Sequence, residues 1–346
     1  MKAAKMYGKN DIRIEDCEIP EIGSGEILLK VKAAAICGTD LRMIKNGAQG
    51  IDEEHPRILG HEVSGIIEKT GKDVRGYEEG MHISLAPNIG CGVCDACVQG
   101  NPHLCREYQA FGINMDGGFA EYMKIPEEAV RQGNLKILDK SVDFAQAAVF
   151  EPASCVLNGQ SRLHIGLGDS VLIIGAGPIG MIHAMMAKAY GAGRIYIRDL
   201  AEERMKLCTE LDQDLIPVSG PDLAGEIRKL TGGRGMDVCI VACPSGKAQA
   251  DALEITGMNG RILFFGGLPQ GKDQVEFQSN LIHYKQLSIF GSTRANTAQY
   301  RTVAEMAEQG KLNLKGVITR TYPLAQFQEA VEYASGGAGL KTVIVF

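Results

Sequence analysis

The chain opens with short apolar runs broken by glycine-rich turns, then changes texture before its midpoint. Through residue 152 the runs are brief and β-like, as in Ile27-Leu28-Leu29-Lys30-Val31 and Glu62-Val63-Ser64-Gly65-Ile66-Ile67. Runs of this length between turn residues predict a compact β-rich unit, barrel-like in outline. From about 153 the rhythm differs. Val171-Leu172-Ile173-Ile174 reads as a short buried strand, with a helical stretch behind it over 178–190. Further strands are expected over 194–199, 237–242, 261–265 and 286–290, and a further helix over 201–211. Strands alternating with helices imply an α/β domain, a doubly wound parallel sheet covered on both faces. The last stretch carries a helix near 297–309 and a closing strand over 342–346. The pattern divides the chain into 1–152, 153–290 and 291–346, with no internal repeat and no low-complexity linker.

Length and charge narrow the classes further. A chain of 346 residues fits two domains, and a hydrophobic share of 45% is ordinary for a protein with a large core. Its 43 glycines call for many tight turns. A net charge of −6 leaves no basic footprint, so nucleic acid is not an expected partner. No apolar run reaches the roughly 18 residues of a membrane span. The first residues lead into polar sequence and not into an apolar signal core, so a cytoplasmic location without a membrane partner is expected. Ten cysteines in such a chain do not suggest a disulfide framework. Four of them cluster, which points to metal.

Gly175-Ala176-Gly177-Pro178-Ile179-Gly180 reads G-x-G-x-x-G. The motif is weak alone, but here it follows an expected strand and opens an expected helix, the context a dinucleotide requires. Gly175 allows the tight turn, Gly177 admits the pyrophosphate, and Gly180 lets helix pack on strand. Asp199 ends the next strand, 19 residues beyond Gly180. An acidic residue there accepts hydrogen bonds from the adenosine ribose and repels a 2′-phosphate, so NAD is expected over NADP. Arg198 and Arg204 lie close in sequence; they are a minority argument for NADP, against their plainer reading as solvated charges.

Cys91, Cys94, Cys97 and Cys105 form C-x2-C-x2-C-x7-C. Four thiolates in one short stretch close a tetrahedral zinc site with no open position. An iron–sulfur cluster is the rival reading. A second set is dispersed: Cys37 before Gly38-Thr39-Asp40, His61 and Glu62 after Gly60, and Glu151 between Phe150 and Pro152. Thiolate, imidazole and carboxylate suit a zinc that keeps one position for water or substrate. Spacing does not join such distant residues. Singly, Cys37 reads as a buried thiol, His61 as a core or surface histidine and Glu151 as a boundary carboxylate.

Together, and in this order, the motifs resemble the zinc-containing medium-chain dehydrogenase/reductase family over essentially the whole chain. Phe150-Glu151-Pro152 and Gly291-Ser292-Thr293-Arg294 look closest to its polyol branch, which includes sorbitol (iditol) and galactitol-1-phosphate dehydrogenases. The resemblance implies an N-terminal GroES-like catalytic domain, completed by the C-terminal segment, around a Rossmann NAD-binding domain. It implies a catalytic zinc on Cys37 and His61, with Glu62 as a direct or near ligand and Glu151 binding directly or through water. It implies a structural zinc on the four clustered cysteines, and Thr39 as the hydroxyl that relays the alcohol proton. Arg204 and Arg294 fall among its cofactor-binding residues, and a homodimer or homotetramer is expected. The implied activity is hydride transfer from a secondary alcohol of a polyol or related small hydroxy compound to NAD.

Two departures matter. Many relatives have a histidine where Arg42 stands, and the tyrosine that follows the arginine in animal sorbitol dehydrogenases is missing after Arg294. A cation at 42 suits a phosphorylated or anionic substrate, although a solvated surface arginine is the plainer reading. Rival functions are a threonine, butanediol or simple alcohol dehydrogenase, and a zinc- and nucleotide-binding protein without turnover. A quinone reductase of the same fold normally lacks both zinc sites.

Overall fold

The strand Ile27–Ala35 buries all its apolar side chains, with only Lys30 and Lys32 half-exposed, because it is paired on both flanks. Glu62–Thr70 runs antiparallel along one flank. On the other, Tyr122–Ile125 pairs with its first half and the C-terminal strand Lys341–Val345 with its second. The sheet extends through His82–Leu85 to Leu135–Ile137 on one side and to Ile318–Pro323 on the other. A smaller sheet holds the N-terminal hairpin, Lys2–Gly8 with Asp11–Asp16. The core beneath includes Met6, Ile27, Leu29, Ile67, Ile83 and Phe119, each fully or almost fully buried. Each such side chain contributes about 1.5–3 kcal/mol of burial. Phe119 meets Phe327 edge-on, ring centroids 4.8 Å apart, which packs the C-terminal segment against the same core.

The computed structural model describes residues 1–346. They separate into two compact units, 1–154 with 294–346, and 155–293. The first boundary falls inside a continuous helix, Phe150–Gln160, so no turn marks it in the sequence.

The second unit is a six-stranded sheet, parallel throughout. Its order is Ile216–Pro217, Arg194–Arg198, Ser170–Ile174, Met236–Val241, Thr256–Phe264, Ser288–Gly291. The strand that comes first in the chain is third in space. The sheet therefore grows outward one way, reverses, and grows the other way, the doubly wound order. Val171 to Ile174 are all buried, as a strand covered on both faces must be. Two helices here lie outside the elements expected from the sequence, Leu223–Thr231 and Gly246–Ile255. Both are fixed by N-caps, the Asp222 and Ser245 side chains accepting from Gly225 and Ala248 amides. The strand expected over 261–265 begins earlier, at Thr256, because the preceding helix runs straight into it. No helix is long and apolar enough to cross a membrane.

His183 is wholly buried in the helix Pro178–Ala189. Gln160 Nε2 lies 3.0 Å from its Nδ1, and the Phe265 ring stands edge-on at 4.6 Å. Burial pushes its pKa down to about 3. The unfolded chain, with a histidine near 6.5, takes up this proton first. Stability therefore falls as pH drops below about 6.5, by about 2 kcal/mol at pH 5 from this residue. Urea unfolding at pH 7 and pH 5 should show that His183→Gln removes this share of the acid loss. An unchanged loss in the variant would assign it elsewhere.

Candidate functional site

Sheet register builds the first site. Ala35 pairs with Glu62, so the chain leaving one strand through Ile36 and Cys37 passes the chain entering the other through His61. Cys37 is the extended N-cap of α1 (Gly38–Asn46). Gly60 turns the backbone into His61 at φ +93°, a conformation that favours glycine, and a Cβ there would stand 3.0 Å from the Phe119 ring, a tight fit. The result brings ligand atoms of Cys37, His61 and Glu62 within 4.8 Å of one another.

Two residues that the sequence reading gave no role hold this cluster. Asp40, wholly buried, accepts the Cys37 amide at 2.8 Å through Oδ2, while Oδ1 lies 3.6 Å from His61 Nδ1. It turns that ring nitrogen toward itself and frees Nε2 for a metal. Burial pulls the His61 pKa down, but Cys37 and Asp40 outweigh it, and the group is held well above its usual value. Lys341 Nζ donates to Glu62 Oε1 at 2.6 Å and to the Ile36 carbonyl at 3.0 Å. Both side chains are sealed from solvent, 4% and 0% exposed. Burial pushes the Glu62 carboxyl up to about 7 against the pull of Lys341, and Glu151 adds to the rise. Glu62 Oε2, Asp40 Oδ1 and His61 Nδ1 are buried without hydrogen-bond partners. Asp40 Oδ1 and His61 Nδ1 face each other, which leaves Glu62 Oε2 as the unpartnered buried acceptor beside a thiol and an imidazole, a donor set that fits a divalent zinc.

Glu151 lies at the start of the helix Phe150–Gln160, buried, outside the cluster of three but near enough to act on Glu62, Lys341 and Tyr300. Thr39 stands in the first turn of α1, where its Oγ1 accepts from Arg42 Nη2 at 3.0 Å.

The four clustered cysteines gather their sulfurs within 4.8 Å, and no disulfide joins them. Amides of Val93 and Cys94 pull the Cys91 thiol down to about 7. Burial, reinforced by the neighbouring thiols, pushes Cys97 up to about 12. A cation among them removes that mutual opposition, so the donor set fits a closed zinc site.

In the second unit, Gly175 sits at φ +116° and ends the strand Ser170–Ile174. A Cβ on Gly180 would collide with the Gly175 carbonyl, so helix and loop touch there. A Cβ on Gly177 would meet nothing within 4 Å, which leaves the helix N-terminus open to a pyrophosphate. Pro178 is the first residue of that helix and Ile179 the second. Asp199 Oδ2 accepts the Ala176 amide at 2.7 Å, and Oδ1 accepts from Ala201 at 2.9 Å. The carboxylate thus braces the loop and keeps lone pairs for a ribose. Arg204 lies in the first turn of Glu202–Leu211, beside Cys208. Arg294, at φ +53°, donates to the His103 carbonyl at 3.0 Å and stacks on Tyr108 at 3.8 Å, so its guanidinium lies on the cysteine-rich lobe.

Two family models match this chain: the alcohol dehydrogenase GroES-like domain over residues 23–134 and zinc-binding dehydrogenase over 178–309. The chain belongs to the zinc-containing medium-chain dehydrogenase/reductase family, and is a zinc-binding dehydrogenase with a GroES-like and a Rossmann domain. It is 33% identical to L-threonine 3-dehydrogenase of Pyrococcus furiosus, over 100% of this chain and 97% of that protein. It is 32% identical to sorbitol dehydrogenase of Bacillus subtilis, over 96% and 93%. An alcohol dehydrogenase from E. coli CFT073, solved with NADH, matches with a TM-score of 0.89 at 27% identity, covering 100% of this chain and 99% of that one.

Removing one partner of a buried ion pair strands the other charge, at about 3–5 kcal/mol. Lys341→Met should lose that much in urea unfolding of the metal-free protein, where no ion compensates the carboxylate, and adding Glu62→Gln should recover most of it. A single variant as stable as the parent would mean the pair carries no such load. Metal analysis should find two zinc ions per chain and one in Cys97→Ser. A full complement in that variant would remove the closed site.

Proposed function

We propose that the chain oxidises a secondary alcohol of a polyol or related small hydroxy compound, with NAD as hydride acceptor. The observation that carries this reading is the mixed cluster of Cys37, His61 and Glu62, with Lys341 occupying one oxygen of the carboxylate. Three protein donors leave a four-coordinate zinc one position for a substrate hydroxyl. Zinc, when bound there, supplies the Lewis acidity that brings a hydroxyl pKa toward neutrality.

The chain's own residues do the rest. Asp40 fixes the imidazole, and Lys341 fixes the carboxylate. Thr39 takes the substrate proton at Oγ1 and hands on its own, since a hydroxyl both accepts and donates. Arg42 holds that oxygen but cannot accept the proton, because a guanidinium stays charged. The proton therefore leaves through the ribose or water. Asp199 holds the adenosine ribose and disfavours a 2′-phosphate. Family likeness supports a homodimer or homotetramer.

Phe150-Glu151-Pro152 and the Gly291 to Arg294 loop support the polyol class. Threonine is the second reading, favoured by the 33% identity to the Pyrococcus furiosus enzyme. A panel of sugar alcohols, diols and threonine, followed by NADH absorbance with NAD and NADP in parallel, separates them. Turnover should be best with a polyol and NAD, and absent in Cys37→Ser and His61→Ala. Threonine as the preferred substrate would overturn the polyol class, and full activity in either variant would overturn the site.

A further inference from the structure

Thr39, Arg42 and Lys45 recur at intervals of three along α1, so their side chains share one face of the helix. Arg42 spends one N–H on Thr39 Oγ1. The rest of its donor fork, together with Lys45, lines a half-open cavity of about 480 Å³. Its other walls include Asn10 of the N-terminal hairpin and Gln328 and Ser335 of the C-terminal helix Phe327–Gly336. No Asp or Glu lines this cavity. Glu332, one turn from Gln328, accepts that amide at 3.4 Å and makes no ion pair with either cation. Arg42 and Lys45 are exposed, and neither is matched to a carboxylate.

Two positive groups without a counter-charge, with Asn10, Gln328 and Ser335 as neutral polar neighbours and Ile12, Leu41, Ile44 and Val331 as an apolar floor, form the complement of a small anion. A guanidinium is planar, with five donors, so it can hold the Thr39 hydroxyl and an anion oxygen at once. We propose that this cavity binds the phosphate or carboxylate group of a small polar molecule, with Arg42 and Lys45 as its charged contacts. The group has two sources, the far end of the alcohol substrate or a separate small anion. Only the first rests on the proposed function.

The zinc-loaded protein is titrated with inorganic phosphate by calorimetry at constant ionic strength, alongside Arg42→Gln, Lys45→Gln and Lys45→Arg. The same proteins are assayed with polyols, polyol phosphates and sugar acids that keep a free hydroxyl. Saturable phosphate binding is expected, weakened about tenfold or more by either glutamine and retained in Lys45→Arg. If the group belongs to the substrate, the kcat/KM ratio of charged to neutral polyol falls by a similar factor in Lys45→Gln. If it is a separate anion, that ratio stays fixed while phosphate binding falls. Either result supports the site. No saturable binding, or binding that survives both glutamine substitutions in proteins with parental melting temperatures, overturns it. Phosphate binding through these residues without oxidation of any alcohol would keep the site and remove the dehydrogenase substrate reading. Oxidation of neutral polyols with no anion binding would do the reverse.

Discussion

The first unit depends on one buried ion pair. Lys341 enters the sheet at the start of the last strand, and its ammonium reaches Glu62 and the Ile36 carbonyl in a place closed to solvent. A lone ammonium there would face a desolvation cost of several kcal/mol, and so would a lone carboxylate. Each is tolerable only with the other present. The pair therefore ties three stretches together: the strand that ends at Ala35, the strand that begins at Glu62, and the strand that begins at Lys341. Those are also the stretches that set Cys37 and His61 side by side. Sheet pairing alone holds Val343 against Ala35, but pairing tolerates fraying at strand ends. A buried charge does not, so the C-terminal segment is fixed at the point where the metal donors converge.

In the dinucleotide loop the corresponding constraint is steric. Gly180 has no space for a Cβ, and Gly175 adopts a backbone that side chains avoid. Gly177 has ample space, so its lack of a side chain serves a ligand and not the packing. Asp199 joins the two demands. One carboxylate braces the Ala176 amide inside the loop, starts the next helix through Ala201, and keeps lone pairs free outward. Its removal would leave the Ala176 and Ala201 amides without their acceptor, so any change of ligand preference at this residue would come with a looser loop.

How much of this is legible in the sequence follows from which interactions are local. The parallel sheet and its loop are readable because each strand is a short apolar run beside its own helix. The cysteine lobe is readable because its four donors lie within fifteen residues. Cys37, His61 and Glu62 converge through register between distant strands, which no spacing rule contains; the family resemblance alone joined them. Lys341 had no signal beyond being a lone lysine before an apolar closing strand, and its partner is 279 residues away. Asp40 stood in plain view in Cys-Gly-Thr-Asp, yet its part as a brace depends on the helix turn that folds it back onto Cys37. Helix 223–231 carries a stripe of Leu223, Ile227 and Leu230 that is short, nine residues between an Asp222 cap and Gly232, and helix 246–255 is marked by its Ser245 cap more than by its apolar pattern, so neither stands out in the sequence. The first unit boundary falls inside a helix, where composition cannot change.

An arginine donating to Thr39 differs in kind from an imidazole at the same place. An imidazole accepts and releases a proton near neutral pH, so it can end a proton path at solvent. A guanidinium has no acceptor and never loses its charge, so it cannot. It does something else: it fixes one lone pair of Thr39 Oγ1 and holds a full positive charge at that oxygen. Negative charge developing near Thr39 is then stabilised by a fixed field and not by proton transfer. The same cation faces an open cavity with a second cation and no counter-ion. A residue that merely blocked the path could be any bulky side chain. One that donates to a hydroxyl and also lines an unneutralised cavity from the same face of the helix couples the charge at that hydroxyl to the charge in the cavity.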